Sequence, residues 1–545
     1  MTSRSRILIC TALTAAVIGL WPVSIVRAQQ PLATIADINS DVAQTLEQGS
    51  RLEQQKRWAE ALSHYEEALR AHPERPELKQ RLTMVRAHYD VARRYADVTY
   101  TKAIHTITER EALAIYEEVL LKVSAHYVHQ PKWHDILRQG TTNFDAALTE
   151  PIFVTSNNLA LTAEQHNQLQ RDIRFWTERQ AIEDRHQAKE LVEAIARTVK
   201  QRYAISPQAV ILEYASGAAA ALDEYSSFLT DSQMDEIFAQ IEGNFVGLGV
   251  ELKTEPAGLL VVNIISGGPA DLGGIRAGDR IIQVDDKSSS QVSPDQLADL
   301  LRGSEGSLVT VILRDAQGVE RTLKLTRRRV EVPSVEDVRI IDTTAGVGYF
   351  KLTSFQKTTA RDVDAALWKL HDQGMRSLVI DLRGNPGGLL KAAVDVADKF
   401  VNDGLIVATR GRSPREDFDH KGQVQGTWRV PLVILIDHDS ASASEILAGA
   451  VRDHKRGTVV GEKSYGKGSV QGIFPLAVSR TGIRLTTAKW YTPSGQAISG
   501  MGIAPDIAVQ KSAKPVDGQL SRTPGEDAIF NTGLQTARTM TTASK

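Results

Sequence analysis

Apolar residues recur at helical spacing in the first part of the chain and then give way to short runs of β-branched residues. From about residue 37 to residue 201 the sequence is rich in Ala, Leu, Glu, Gln and Arg and has few glycines, which predicts a helical region. Near residue 243 Gly, Val and Ile become frequent, and strand-like runs at 259–265 and 308–314 are punctuated by Gly-Asp turns. This change predicts a small β-rich domain.

Farther along, β-branched runs alternate with turns and helical patterns, which predicts an α/β core. The runs lie at 345–351, 377–381 and 431–437. After Asp506 the chain becomes rich in Ser, Thr, Gly and Lys and offers little to bury, so a loose tail is expected there. The predicted fold class is therefore multidomain α+β. Its domains are expected at 29–100 (repeat-like helices), 101–235 (further helices), 236–330 (the β-rich domain), 331–512 (the α/β core) and 513–545 (a flexible tail).

The first 28 residues have the pattern of an export signal. Arg4 and Arg6 precede an apolar run at 7–20, and the segment ends in Val26-Arg27-Ala28, with small or β-branched residues at the cleavage positions. We expect cleavage after Ala28, which would deliver a soluble protein to the bacterial periplasm or cell envelope. The alternative is an uncleaved anchor, because residues 7–25 are nearly long enough to span a bilayer.

Composition excludes several classes of function. Charged residues make up 24% of the chain and the formal net charge is -2, so no basic excess suits a nucleic-acid partner. The one cysteine, Cys10, lies inside the signal segment, which excludes disulfides and thiol catalysis from the mature chain. There is no His-Glu-x-x-His sequence or comparable ligand cluster, so no catalytic metal is expected, and the serine chemistry considered below requires no cofactor.

One stretch of the helical region resembles a tetratricopeptide repeat. Small, aromatic and terminating residues fall at the repeat positions, namely Gly49, Ala61, Tyr65, Ala68 and Pro73. A second candidate, Ala112 with Tyr116, is out of step with the repeat length. The stretch is interpreted either as a groove that binds an adaptor protein or as ordinary helical packing, and the sequence leaves both open.

The β-rich domain resembles a PDZ domain. The resemblance lies in residues 243–251 (GNFVGLGVE), 267–270 (GGPA) and 278–285 (GDRIIQVD). Gly247 and Gly249 let backbone amides converge on a terminal carboxylate, while the adjoining strand pairs with an extended peptide. Phe245, Val246 and Leu248 are expected to line the apolar pocket. Residues 271–275 (DLGGI) depart from the usual Ala-Gly-Ile, which leaves the shape of the groove open.

Two short segments carry the candidate chemistry. They are residues 440–445 (SASASE) and 464–471 (SYGKGSVQ). A serine hydroxyl is a poor nucleophile until a base removes its proton, and Lys467 with Gln471 offers such a base. Taken alone, a serine here would indicate helix-start packing and a lysine a solvated turn, and only the joint pattern favours catalysis. His438 and His454 flank the serine, but no Gly-x-Ser-x-Gly elbow supports a histidine mechanism.

These segments closely resemble the carboxyl-terminal processing proteases, also called tail-specific proteases. The likeness extends from about residue 111 to 506 and includes LDEYSSFL at 222–229, VGYF at 347–350, RGNPGG at 383–388 and WYTPSG at 490–495. The resemblance implies a ClpP/crotonase-like core. It also implies the following roles: Ser442 as nucleophile, Lys467 as general base, Gln471 as the amide that orients the lysine, the backbone amides of Gly388 and Ala443 as the oxyanion hole, and Asp453 as structural support.

The expected function is that of a serine endopeptidase that binds the carboxyl-terminal tails of exported proteins through its PDZ domain. Its substrates would be proteins or peptides with apolar ends, the PDZ domain would also gate the active site, and a homo-oligomer is compatible with the sequence. A lysine acts as a base only when neutral, so burial must lower its pKa from about 10.4. Two rivals are a scaffold with an inactive core and acyl-CoA chemistry on a crotonase-like fold. The intact Ser442, Lys467 and Gln471 argue against the first, and the PDZ domain has no role in the second.

Overall fold

A computed structural model describes residues 35–255, 258–292, 294–423, 428–509 and 527–543. The signal peptide expected at 1–28 lies outside these residues. The chain forms two compact units, Met1–Arg86 and Ala87–Lys545. Across the described ranges, no helix is long and apolar enough to cross a membrane.

The first unit is helical and packs around a small apolar cluster. Its elements are α1 (Ile35–Gln54), α2 (Trp58–Ala71) and the start of α3 (Pro76–Ala96). Ala61 and Tyr65 are fully buried, and a Cβ added at Gly49 would lie 2.2 Å from Cζ of Tyr65. The glycine therefore makes room for the aromatic ring. A helical region at this end of the chain is confirmed, whereas its assignment as a tetratricopeptide repeat remains a prediction.

The second unit begins with a bundle of helices around a central buried one, α10. The elements are α4 (Val98–Thr106), α5 (Glu109–His126), α6 (Trp133–Thr149), α7 (Pro151–Ser156), α8 (Ala163–Arg179), α9 (Arg185–Tyr203) and α10 (Pro207–Ala220). A Cβ at Gly217 would lie 2.5 Å from Cα of Gly140, so α6 and α10 cross closely at two glycines. A short strand, β1 (Ser227–Leu229), follows the bundle and pairs with a strand of the α/β core described below.

The β-rich domain has its own apolar core and a six-stranded antiparallel sheet. Its elements are α11 (Asp231–Glu242), β2 (Asn244–Gly247), β3 (Val250–Glu255), β4 (Gly258–Ile264), α12 (Pro269–Leu272), β5 (Arg280–Val284), β6 (Lys287–Ser288), α13 (Pro294–Asp299), β7 (Leu308–Arg314), β8 (Glu320–Thr326) and β9 (Arg328–Glu331). The strand order is β3-β4-β5-β7-β8, with β6 paired to β5, while β2 and β9 form a separate ribbon. The strand β3 is therefore an edge of the sheet.

The α/β core contains two sheets. Its elements are β10 (Val335–Asp342), β11 (Val347–Leu352), α14 (Thr359–Asp372), β12 (Ser377–Asp381), α15 (Leu390–Asp398), β13 (Leu405–Gly411), a 3-10 turn (Pro414–Glu416), β14 (Phe418–Lys421), β15 (Leu432–Ile436), α16 (Ala443–Asp453), β16 (Thr458–Gly461), β17 (Ser469–Pro475), β18 (Gly482–Tyr491) and β19 (Ile507–Ala508). One sheet has the order β10-β11-β12-β15-β16-β19, and its strands from β11 onward are parallel. In the other, β18 pairs with β1, β13 and β17, and β14 pairs with β13.

The parallel sheet sets the position of the catalytic candidates. Every residue of β12 and β15 is buried, as expected for strands covered on both faces. Parallel neighbours end at the same edge, so the segments that follow β12 and β15 meet there. These segments are residues 383–388 and 437–442, and they include the RGNPGG motif and the first half of the SASASE motif noted in the sequence.

The expectation of a loose tail is wrong for residues 527–543. The helix α17 (Ala528–Ala543) buries Ile529 and Ala537 against the parallel sheet, on a cluster separate from that of α14, α15 and α16. A Cβ at Gly533 would lie 2.4 Å from Cδ2 of Leu435, so the helix packs directly on β15. The small and polar residues that suggested disorder are what allow this close approach.

Candidate active site

Ser442 lies at a strained turn between β15 and α16. Its φ is +55° and its ψ is -112°. Such a backbone is rare outside glycine and costs on the order of 1–3 kcal/mol, which surrounding contacts must offset. The amide of Ser442 donates to Oε2 of Glu445 (2.7 Å), and a Cβ at Gly387 would lie 2.8 Å from Cβ of Ser442. The strained serine is therefore held between its own helix and the loop after β12.

The loop after β12 is fixed by hydrogen bonds from both of its sides. Gly384 donates its amide to Oδ1 of Asp437 (3.0 Å), and Nδ2 of Asn385 donates to the carbonyl of Leu352 (2.8 Å). Oδ1 of Asn385 accepts the amide of Gly387 (2.9 Å). These contacts order the loop beside Ser442.

Two backbone amides near the serine have no hydrogen-bond partner among the residues that the structure describes. In the described part of the chain, neither the amide of Gly388 nor that of Ala443 donates a hydrogen bond. Gly388 has a φ of +142°, and a Cβ there would lie 2.1 Å from the carbonyl oxygen of Phe355. Only glycine fits this position. Unpaired amides next to a nucleophile suit the stabilisation of a developing oxyanion.

Glu445 joins the two motifs and was not assigned a role from the sequence. Its buried carboxylate accepts the hydroxyl of Ser464 (2.6 Å) and the amides of Ser442, Gly466 and Lys467 (2.7, 2.6 and 2.9 Å). Burial raises the pKa of Glu445 from its ordinary value, and these hydrogen bonds oppose the rise. The acid at the end of SASASE was visible in the sequence, but the partner loop that it holds was not.

Lys467 is a partly buried lysine in a suitable environment for a base. Burial lowers its pKa below the ordinary 10.5, and the positive charge of Arg484 lowers it further. Glu445, Glu224 and Asp223 act in the opposite direction. A lowered pKa increases the neutral fraction at neutral pH, and only the neutral amine accepts a proton.

Tyr225 and Arg484 form the wall beside this lysine. The Nζ atom of Lys467 lies 4.9 Å from the centroid of the Tyr225 ring. Oδ1 of Asp223 accepts the amide of Tyr225 (2.9 Å), and Nε of Arg484 donates to its carbonyl (2.9 Å). Tyr225 belongs to the LDEYSSFL segment already noted in the sequence. Arg484, on β18, carried no signal because its proximity depends on the pairing of β18 with β1.

The hydrogen bonds of Gln471 and Asp453 go to residues other than the two catalytic candidates. Nε2 of Gln471 donates to the hydroxyl of Ser469 (2.8 Å), and the structure describes no hydrogen bond between Gln471 and Lys467. Its orienting role remains a prediction. Asp453 accepts the amide of Ser494 (3.0 Å) at the far end of α16, about 16 Å from Ser442 at 1.5 Å per residue. That position suits structural support.

The histidines and acids near the serine are otherwise engaged. Nε2 of His454 lies 2.7 Å from the carbonyl oxygen of Leu405, and His438 lies beside Asp439 and Glu462. Asp437, His438 and Asp439 offer ligand atoms within 4.8 Å of one another. We assign no ion to them, because Oδ1 of Asp437 already accepts the amides of Gly384, Asp439 and Ser440.

The candidate peptide-binding residues divide into two groups. Gly247 and Gly249 flank the loop before the edge strand β3, and Gly249 has a φ of +79°. Phe245 and Val246 belong to β2 and pair with β9. Leu248 is 2% exposed and is part of the domain core, so it lies beneath the loop.

Comparison with known proteins finds two families along the chain. The family model of peptidase family S41 matches residues 346–509, and the family model of the PDZ domain matches residues 260–315. A carboxy-terminal-processing protease of Bartonella bacilliformis is 38% identical over 328 residues, which cover 58% of this chain and 74% of that protein. A carboxyl-terminal-processing protease of Synechocystis is 35% identical over 299 residues, covering 54% and 69%.

A solved structure is also similar. The photosystem II D1 C-terminal processing protease is 26% identical, with 74% of this chain and 95% of that chain covered and a TM-score of 0.37. The family assignment relies on the sequence relatives. The predicted fold class is confirmed, with a helical region, a PDZ domain and an α/β protease core.

Proposed function

The chain belongs to the carboxy-terminal-processing proteases of peptidase family S41 and is a serine-type peptidase, and we propose that it cleaves polypeptides with Ser442 and Lys467. The observation that carries the proposal is the carboxylate of Glu445, which ties the turn of Ser442 to the loop of Lys467. This arrangement supports a nucleophile and a base acting together. The lowered pKa of Lys467 and the unpaired amides of Gly388 and Ala443 add the remaining parts.

The proposed reaction is acyl transfer. Neutral Lys467 takes the hydroxyl proton as Oγ of Ser442 attacks the scissile carbonyl, and the amides of Gly388 and Ala443 stabilise the oxyanion. The amine product leaves with the proton from Lys467. The same lysine then activates a water molecule that hydrolyses the acyl-enzyme, while Gln471 orients the amine. No cofactor takes part in any of these steps.

We further propose that the PDZ domain presents the substrate tail. The family and the domain imply binding of peptide substrates. The edge strand β3 has backbone groups free to pair with an added strand, and the loop of Gly247 to Gly249 precedes it. Apolar carboxyl-terminal residues would then be preferred, and occupancy of the groove would gate cleavage. Three further proposals come from the sequence. The protein is exported to the periplasm, an adaptor protein binds at residues 29–100, and the protein forms a homo-oligomer.

Digestion of an unfolded protein with an apolar carboxyl terminus tests the catalytic proposal. Wild type should cleave it, whereas Ser442→Ala and Lys467→Ala should each lose at least about a hundredfold in rate, the usual scale for a missing general base or nucleophile. Lys463→Ala is the matched control, because Lys463 is an exposed lysine of the same region. Cleavage by Ser442→Ala at the wild-type rate would reject the proposal.

A further inference from the structure

One ion pair connects the residue before α17 with the loop of the proposed active site. Nη1 of Arg383 lies 2.7 and 2.8 Å from the two carboxylate oxygens of Asp527, the residue before α17. Nη2 and Nε of Arg383 donate to the two oxygens of Asp381 (2.6 and 2.9 Å). The guanidinium is thus held between the end of β12 and the start of α17.

Arg383 is the first residue of the loop that contacts the serine. The next residue, Gly384, is held by Asp437, and Gly387 packs against Ser442 as described above. The loop carries Gly388, whose amide is one of the two proposed oxyanion donors. A shift of Arg383 would therefore be transmitted to the loop that carries this proposed donor.

The other end of this connection is rigid. The helix α17 buries Ile529 and Ala537 on the sheet, and the hydroxyl of Thr541 donates to that of Ser377 (3.0 Å) at the opposite end of β12. Oδ1 of Asp527 also accepts the amide of Phe530 (3.0 Å), which fixes the carboxylate at the first turn of the helix. Asp527 is therefore a preorganised acceptor on an element packed against β12.

The charges explain why Asp381 alone is an incomplete partner. The side chain of Arg383 is only 19% exposed, so an unpaired part of its guanidinium would be poorly hydrated. Asp381 satisfies Nε and Nη2 and also accepts the hydroxyl of Tyr349 (3.0 Å). Nη1 depends on Asp527. Without that carboxylate, Nη1 would lose its acceptor and the guanidinium would re-pair around Asp381. Because Oδ1 of Asp381 also accepts the backbone amide of Arg383 (3.0 Å), that change would reach the backbone at residue 383.

We propose that Asp527 is a positioning residue for catalysis, which acts through Arg383 to hold residues 384–388 in the geometry of the oxyanion hole. The inference rests on the proposed serine-lysine site. The start of α17, a segment predicted from the sequence to be a loose tail, would then help to position the oxyanion hole. Asp527 itself contacts no reacting atom.

The test compares Asp527→Asn with Arg538→Gln in the full mature chain. Each variant removes one ion pair of α17, since Nε of Arg538 lies 2.6 Å from Oδ2 of Asp342, away from the loop. Asp527→Asn should lower kcat about tenfold or more, because small displacements of positioned groups are costly, and should leave KM nearly unchanged. Arg538→Gln should leave kcat at the wild-type value.

Thermal unfolding and two further variants separate the outcomes. Asp527→Glu, which keeps the charge, should recover part of the lost kcat. The inference would be overturned if kcat fell in both Asp527→Asn and Arg538→Gln, each in proportion to the thermal stability that the variant loses. An unchanged kcat in Asp527→Asn would also overturn it. Ser442→Ala reports on the proposed function separately: full activity in that variant rejects the serine mechanism whatever Asp527→Asn does.

Discussion

The reactivity of the site depends on a few residues whose surroundings oppose their ordinary chemistry. Ser442 adopts a backbone that most side chains avoid, Glu445 is a buried acid, and Lys467 is a partly buried lysine. Glu445 links the other two, since its carboxylate accepts the backbone amides of both catalytic candidates. Strain and burial of this kind are typical of functional sites.

The pKa of Lys467 can be tested through Arg484. Replacing Arg484 with Met removes a positive charge that lowers the pKa of Lys467, so that pKa should rise. The lysine would then become neutral only at higher pH, and the rising limb of the plot of kcat/KM against pH should shift to higher pH. Arg484→Lys keeps the charge and should keep the limb near its wild-type position. A limb that does not move in Arg484→Met would show that this charge does not tune the base.

The loop after β12 should tolerate no side chain at Gly387. Its φ is +103°, and a Cβ would lie 2.8 Å from that of Ser442 and 2.9 Å from the amide of Ala443. Gly387→Ala should therefore lower kcat by about a hundredfold, because it displaces both the nucleophile and an oxyanion donor. Gly374→Ala, in the turn before β12 and outside this loop, has a positive φ of +85° and open space around the Cβ. It should lower stability by about 1 kcal/mol and leave kcat nearly intact. Equal kcat in the two variants would contradict this account.

At the scale of elements, the edge strand β3 and the loop before it are expected to bind substrate tails. Gly249→Ala places a side chain at a φ of +79°, with a Cβ 3.2 Å from Cγ1 of Val330, and should distort the loop. KM for a substrate with a free, apolar carboxyl terminus should rise several-fold. Amidation of that terminus should have the same effect on wild type, because the loop amides would lose their anionic partner.

Gly306 provides the control for that prediction. It lies in a turn of the same domain, has a φ of +83° and has open space at its Cβ position. Gly306→Ala should leave KM unchanged. If Gly249→Ala and amidation both leave KM unchanged, the tail is not bound by this loop.

Much of the element pattern was accessible from the sequence, and the exceptions have physical causes. The fully buried strands β12 and β15 were predicted from continuous β-branched runs, and the glycine-rich turns indicated the β-rich domain. The helix α17 was missed because the small and polar composition of the segment hid the apolar residues through which it packs, namely Ile529, Phe530, Leu534 and Ala537. The place of Leu248 in the peptide-binding pocket stays a prediction, because a loop pattern does not tell which side chain turns inward and this one lies in the domain core.

At the scale of the whole molecule, the site is assembled from distant parts of the chain. Tyr225 comes from the turn after the helical bundle, Ser442 and Lys467 from the α/β core, and Asp527 from the segment before α17. Motifs identified the central serine and lysine because both lie in compact segments. Arg484 and Asp527 could not be found that way, since their proximity depends on the pairing of strands and the docking of a helix.

Trapping of the acyl-enzyme is the most direct test of the central claim. Wild type is mixed with substrate, quenched in acid and digested, and the fragment containing Ser442 is examined by mass spectrometry. We predict an acyl adduct on Ser442 that is absent in Ser442→Ala and strongly reduced in Lys467→Ala. An adduct on another residue, or undiminished turnover in Ser442→Ala, would contradict that claim.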